Sequence, residues 1–243
     1  MMADGLHRQA EPEVMDETEE AHAYAVADFA EVNAAFVERL CELSENIPAA
    51  LALDLGTGPA DIPMRVAQAK PDWRIWAADA SWAMLEHGRE VCKKANVATA
   101  TGLLLADAKL LPICSRSLDV IFSNSILHHI NDTASLWNEI KRVAKPGALI
   151  FLRDLARPGS SSDALDIVRK HAGNESKLLR EEYYRSLLSA YTVEEIQQQL
   201  ESAGLDTFEI KQVTDRHLDI WGIMPPPEAA NSRGRRRAVT RQA

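Results

Sequence analysis

Between Ala50 and Leu155 two kinds of apolar pattern alternate along the chain. Short, near-continuous apolar runs occur at 50–55 (ALALDL), 74–79 (RIWAAD), 100–107 (ATGLLLAD), 118–125 (LDVIFSNS) and 148–155 (ALIFLRDL). Between them, 61–70 (DIPMRVAQAK), 81–96 (SWAMLEHGREVCKKAN) and 133–145 (TASLWNEIKRVAK) space their apolar residues as helices do. Pro63 falls in a first helical turn, where its missing N–H is tolerated, and Ser81 can cap the second helix. Pro146-Gly147 is read as the stop of the third helix. Runs apolar at every position belong to strands covered on both faces, so the pattern predicts an α/β, doubly wound, mostly parallel sheet with helices on both sides.

Beyond Pro158 the alternation stops. Two helix-like segments follow with no strand between them, and 156–191 is read as a helical lid inserted in the domain. Thr192 and Glu195 have capping-box spacing at the start of a helix over 192–205, which Gly204 closes. Residues 207–214 and 216–223 are read as an antiparallel strand pair. The Ala-rich stretch 20–43 predicts one or two N-terminal cap helices, within 20–45. One domain is therefore expected over 20–224. Residues 1–19, acidic and polar, and 225–243, Pro-rich with five arginines, are expected to be disordered.

Charge narrows the partners. The chain totals −9, and the tail holds a net +4, which leaves −13 for the rest. An acidic body argues against nucleic acid as a general partner. No run is long and apolar enough for a membrane span, and the start has no signal-peptide core. Cys41, Cys92 and Cys114 are scattered and form no CxxC pair, which favours reduced thiols and a cytoplasmic setting.

The turn after the first strand, LDLGTGPAD, holds the candidate chemistry. Gly56 and Gly58 fit the first two positions of a dinucleotide-binding turn, but the third is Asp61, and Asp54 stands at the mouth. A pyrophosphate needs N–H donors and positive potential there, so two carboxylates weigh against NAD(P) and an oxidoreductase. They suit a cofactor with a cationic end, such as S-adenosylmethionine (SAM), which carries an ammonium and a sulfonium. Asp79 ends the second strand and can accept two ribose hydroxyls. Asp107, ending the third, can receive an adenine amino group.

Taken in order, LDLGTGPAD, AAD-AS, AD-AKLLPI, LDVIFSNSILHHI and KRVAKPGALI resemble the successive motifs of class I SAM-dependent methyltransferases. The resemblance is close over about 50–155 and extends to about 223. It implies a seven-stranded sheet with the last strand antiparallel, SAM at the carboxyl ends of the first strands, and S-adenosylhomocysteine as product. Its cofactor roles fall on Asp54, Gly56 and Gly58 at the methionine end, on Asp79 with Ala80 and Ser81 at the ribose, on Asp107 and Ala108 at the adenine, and on Asn124 near the sulfonium. Tyr24, by analogy with N-terminal cap helices, is a further cofactor contact.

For the acceptor, the sequence offers candidates with two readings each. His128 and His129, just past the fourth strand, are either a general base or acceptor-orienting pair, or residues that fix the loop. No third ligand is evident for a metal. Arg153 either meets an anionic acceptor, together with Tyr183 and Tyr184, or pairs locally. The tyrosines either line a lid or pack as a helical stripe with Leu179 and Leu187. No [DN]-P-P-[YF] follows the fourth strand and there is no Pro-Cys dipeptide, so DNA-base acceptors are disfavoured. A small-molecule acceptor, anionic or aromatic, methylated at O, N, S or C, is expected. The alternative from another class is a non-catalytic scaffold subunit on the same fold.

Overall fold

The computed structural model describes residues 6–14, 29–95 and 100–226. Seven strands form one sheet: β1 (Leu51–Leu55), β2 (Arg74–Asp79), β3 (Thr101–Leu105), β4 (Leu118–Asn124), β5 (Ala144–Leu155), β6 (Glu209–Gln212) and β7 (His217–Ile223), in spatial order 3-2-1-4-5-7-6. β1 to β5 pair in parallel, and β7 runs antiparallel to both β5 and β6. The helices are α1 (Ala30–Leu43), α2 (Asp61–Ala69), α3 (Trp82–Lys94), α4 (Thr133–Val143), α5 (Ser161–Ala172), α6 (Lys177–Ser189) and α7 (Val193–Ala203).

Of the apolar strands, β1, β4 and β5 are buried on both faces, where successive side chains alternate sides, whereas β2 leaves Trp76 exposed and β3 is mostly half-buried. Leu53, Ile121, Ile150 and Leu152 pack with Trp137, Ile140, Ile196 and Leu200 of α4 and α7. Their neighbours Ala52, Val120, Phe122, Leu149 and Phe151 pack on the other side with Phe36, Leu40, Val66 and Trp73. Phe36 stacks on Phe151 at 4.8 Å between ring centroids. The lid helices α5 and α6 bury their own cluster around Leu155, Val168 and Leu187. The caps follow the sequence: Ser81 accepts from the Met84 N–H, Thr192 and Glu195 close a complete capping box, and Gly204 takes the left-handed conformation.

Two boundaries differ from expectation. α4 ends at Val143, and Pro146-Gly147 lie inside β5 rather than stopping the helix. The last carbonyls of α4 accept from Arg116 and Ser117, and the register between β4 and β5 shifts beside Leu118. The extra residues are thus taken up as a bulge at the sheet rim. The second difference is at the start of the chain. Residues 6–14 fall in the stretch expected to be disordered, yet they form an extended strap docked on the body. The Gln9 N–H donates to the Leu188 carbonyl at 3.0 Å. Arg8 donates to the carbonyls of Ser189 (2.6 Å) and His128 (2.9 Å) and lies over the Tyr191 ring at 4.2 Å. A polar, acidic sequence is held here by specific charge-assisted bonds, which composition does not reveal. Tyr24 and the basic tail from 227 onward lie outside the described residues.

Hydrogen bonds from a charged donor are worth about 1.5–3 kcal/mol. Arg8→Ala is therefore expected to lower stability by about that much in a denaturant titration. An unchanged midpoint would show that the strap does not dock in solution.

Candidate active site

One large cavity, of about 930 Å³, opens at the carboxyl ends of β1, β2, β4 and β5 and runs under the lid. Ligands of open α/β sheets bind at this edge. Asp54, Gly56, Gly58, Asp79, Ala80, Asp107, Ala108 and Asn124 all line it. Ser81 does not; it is buried beneath as the cap of α3.

The turn between β1 and α2 is built from left-handed residues: Gly56, Gly58 and Ala60 have φ of 66°, 54° and 60°. A Cβ on Gly56 would meet the Ile126 side chain at 2.8 Å. The turn is tied to β2 by Asp79, whose two carboxylate oxygens accept from the N–H groups of Gly58 and Ser81, each at 2.8 Å. Asp107 accepts from the Lys109 N–H at 2.8 Å, which closes the turn after β3.

The two acids flanking the turn separate into different roles. Asp61 is neutralised: it accepts from Arg65 at 2.6 Å and from Asn33 at 2.8 Å. It therefore does not face the cofactor as a free charge, contrary to the expectation of paired carboxylates. Asp54 is buried, and its Oδ2 has no hydrogen-bond partner among the described residues. Burial, with Asp79 nearby, pushes its carboxyl up to about 8. A buried carboxyl with one unpartnered oxygen beside a glycine turn fits the ammonium of SAM and misfits a pyrophosphate. The cations closest to this end, Arg65 and Lys109, are paired with Asp61 and Glu13.

At the other end a short 3-10 turn, Leu127–His129, presents both histidines to the cavity. His128 is buried, and its Nδ1 lies 2.6 Å from Asp154 Oδ1. Asp154 also accepts from the N–H groups of Leu127 and Leu155. Burial works against the imidazolium, but the Asp154 charge and hydrogen bond outweigh it and hold His128 above its ordinary 6.5. Its Nε2 stands 3.5 Å from Glu11 of the strap. His129, its ring tilted against that of His128 at 4.2 Å between centroids, is pushed down to about 3 by burial and by His128, so it is neutral at pH 7. Burial raises the Glu11 carboxyl. Glu11, His128 and His129 offer ligand atoms all within 4.8 Å of one another, a set that could hold a metal ion. The sequence showed no third ligand because Glu11 sits in the strap.

The acceptor candidates divide. Arg153 lines the cavity but is paired end to end with buried Asp219, at 2.6 and 2.8 Å. Asp154 points to the opposite side, toward His128. Each charge at the end of β5 has found a local partner, so Arg153 is not a free cation. Tyr183 lines the cavity with its hydroxyl buried and unpartnered. Tyr184 faces a separate groove with Leu165 and Arg180 and is removed from the acceptor set. One turn along α6 sends two adjacent residues to different sides. The sequence reading missed Glu11, Asn33, Arg216 and His217. Arg216 and His217 stand at the start of β7, at the edge where the cavity opens. That position is a usable signal once β7 is placed beside β5.

Comparison with known proteins agrees with this geometry. Residues 53–152 match the methyltransferase domain family. The malonyl-[acyl-carrier protein] O-methyltransferase of Xylella fastidiosa (strain M23) is 30% identical over 121 residues, 50% of this chain and 40% of the relative. The 27-O-demethylrifamycin SV methyltransferase of Amycolatopsis mediterranei (strain S699) is 26% identical over 170 residues, 70% of this chain and 58% of the relative. The chain thus spans about half the length of the curated relatives it matches. Among solved structures, a SAM-dependent methyltransferase from Aquifex aeolicus superposes with a TM-score of 0.63 at 17% identity, covering 86% of this chain and 98% of the other. The Haemonchus contortus phosphoethanolamine N-methyltransferase 2, solved with S-adenosyl-L-methionine, gives 0.64 at 16%, covering 86% and 57%. Over residues 53–152 the chain matches the methyltransferase domain family, and its fold and motif order are like those of class I SAM-dependent methyltransferases.

With the SAM ammonium placed at Asp54, cofactor binding is expected to depend on pH. A carboxyl at about 8 in the folded chain and 3.8 unfolded favours folding below 3.8, and that contribution is lost as pH rises through 8. A bound ammonium reverses the preference by stabilising the carboxylate. SAM binding at pH 7 should release up to about one proton, and affinity should rise from pH 6 to 8. Calorimetry in buffers of different ionisation enthalpy measures this. Asp54→Asn should bind with no proton release. At the ribose position, Asp79→Ala should weaken SAM binding tenfold or more, about 1.4 kcal/mol, with the fold retained by circular dichroism.

Proposed function

We propose that this protein transfers a methyl group from SAM to a small-molecule acceptor. The observation that carries this reading is the Asp154–His128 pair, buried and oriented, on the same cavity wall system as the Asp54–Gly58 turn. SAM, when bound, supplies an already activated methyl group on its sulfonium. The residues proposed to hold it are Asp54, Gly56, Gly58, Asp79, Ala80, Asp107, Ala108 and Asn124, with Ser81 acting through the α3 cap. Tyr24 stays a proposed contact outside the described residues.

Most of the rate then comes from holding the acceptor in line, worth about 7–11 kcal/mol in favourable cases. Where the acceptor must lose a proton, His128 Nε2 takes it. Asp154 fixes the ring and stabilises the imidazolium that forms, as the acid does in an Asp–His pair of a hydrolase. His129, neutral and tilted against His128, shapes the pocket against the acceptor. Glu11 closes the cluster from the strap side and can receive the proton from His128.

The relatives named above act, by their names, on an acyl-carrier-bound malonyl group and a rifamycin, which supports a small organic acceptor here. No helix among the described residues is long and apolar enough to cross a membrane. With three free cysteines, this supports a reducing, cytoplasmic setting. A scaffold role gives no account of a histidine oriented by a buried carboxylate on the cavity wall.

Incubation with methyl-labelled SAM and small-molecule extract fractions tests the activity. Label should move to a low-molecular-weight product, and tight SAM binding with no transfer from any fraction would favour the scaffold. For an acceptor with an ionisable proton, turnover should rise with pH through an apparent pKa above 6.5, because the base must be neutral. His128→Asn should flatten that limb and lower kcat by about 10²–10⁴ while SAM affinity is kept.

A further inference from the structure

Five cationic side chains of Arg and Lys line the cavity: Arg65, Lys109, Arg153, Lys170 and Arg216. Four are neutralised on the spot. Arg65 pairs with Asp61, Lys109 with Glu13, Arg153 with Asp219 and Lys170 with Asp215, each at 2.6 Å. His171 shares Asp215 at 3.0 Å, so that carboxylate is also engaged. Arg216 has no carboxylate at ion-pair distance among the described residues, and its Nη1 is buried without a hydrogen-bond partner.

The Tyr183 hydroxyl, buried and equally unpartnered, belongs to the same wall. The Arg216 guanidinium lies 5.9 Å from the Tyr183 ring centroid. Both groups sit on held backbone. The Arg216 carbonyl accepts from Ala156 at 2.8 Å, its N–H donates to Thr214 Oγ1 at 3.2 Å, and Tyr183 is central in α6. Leaving a charge and a hydroxyl buried without partners is costly, and a fold does so where a ligand completes them.

We infer that Arg216 and Tyr183 form the recognition site for a carboxylate on the methyl acceptor. The guanidinium meets the charge and the phenol hydroxyl donates to an oxygen. Arg216, without an ion-pair partner among the described residues, offers one positive charge to a monoanion. Glu31, Glu175 and Glu182 also line the cavity; Glu182 pairs with Arg185 at 2.7 Å, and Glu31 acts on Arg216 through space from beyond ion-pair distance. They penalise a phosphate dianion more than a carboxylate. Neighbouring His217 is held neutral, pushed down to about 4 by burial and by Arg216 itself, and adds no second charge. The inference rests on the methyltransferase reading for the cavity's other occupant.

The test uses the full chain saturated with S-adenosylhomocysteine and three probes: 4-hydroxybenzoate, 4-hydroxybenzamide and phenyl phosphate. Calorimetry or ligand-observed NMR reads their affinities. The carboxylate should bind at least tenfold tighter than the amide and tighter than the phosphate. Arg216→Met should erase the carboxylate preference, leave S-adenosylhomocysteine affinity unchanged and raise the melting temperature of the ligand-free protein, because it removes an unpaired buried charge. Tyr183→Phe should weaken the carboxylate several-fold and spare the amide. Equal binding of acid and amide, a preference for the phosphate, or a lowered melting temperature in Arg216→Met would overturn the assignment. Failure of the wild-type chain to bind S-adenosylhomocysteine would instead sink the methyltransferase reading, whatever the probes do.

Discussion

The Asp154 carboxylate joins the sheet to everything that surrounds the cavity's far end. It is buried at the carboxyl end of β5, and it accepts from Leu127 N, Leu155 N and His128 Nδ1. Against the desolvation that opposes it, the His128 charge and those three bonds hold its carboxyl below the usual range. Through Leu127 it fixes the turn after β4. Through His128 it fixes a ring, and the His128 carbonyl in turn accepts from Ser189 of α6 and Arg8 of the strap. A single acid thus connects the central strands, the lid and the N-terminal strap. Removing it would leave an imidazole and two N–H groups without partners in a dry place, which is where large losses of stability originate.

The cavity is electrically divided, and the division follows from which charges are paired. At the glycine turn the fold neutralises its cations and leaves Asp54 alone, so the potential there favours a cationic end group. Under the lid it neutralises Lys170 and Arg153 and leaves Arg216 alone. A cofactor with an ammonium and a sulfonium belongs at the first end. Between the two ends stand His128 and His129, one held toward the charged form and the other held neutral, although they are neighbours in sequence. The difference comes from Asp154, which reaches one ring closely and the other only at a distance.

Much of this was legible along the chain. Strands apolar at every position required cover on both faces, and 3.6-residue spacing between them required helices, so the doubly wound sheet followed from side-chain periodicity alone. Ser81, Thr192, Glu195 and Gly204 act locally, within one helical turn, and so could be read locally. The proposed cofactor residues were placed by similar reasoning: they lie at or just past strand ends, and strand ends in a parallel sheet share one edge.

Pairing across the fold was not legible. Arg153 in sequence is a charge at the end of an apolar strand, and only the antiparallel placement of β7 puts Asp219 opposite it. Asp61 reads as a free acid until Arg65 and Asn33 close on it. The strap reads as a solvated acidic segment, because nothing in its composition says that Arg8 will find two carbonyls of distant elements. Periodicity and capping depend on residues a few positions apart, so the sequence by itself determined the sheet, the helices and the edge where the cofactor belongs. Apart from the Asp61–Arg65 pair, four residues apart, charge compensation around the cavity depends on partners tens of positions away, so only the tertiary structure decided which acids and bases remain unpaired, and therefore where a ligand's own charge is needed.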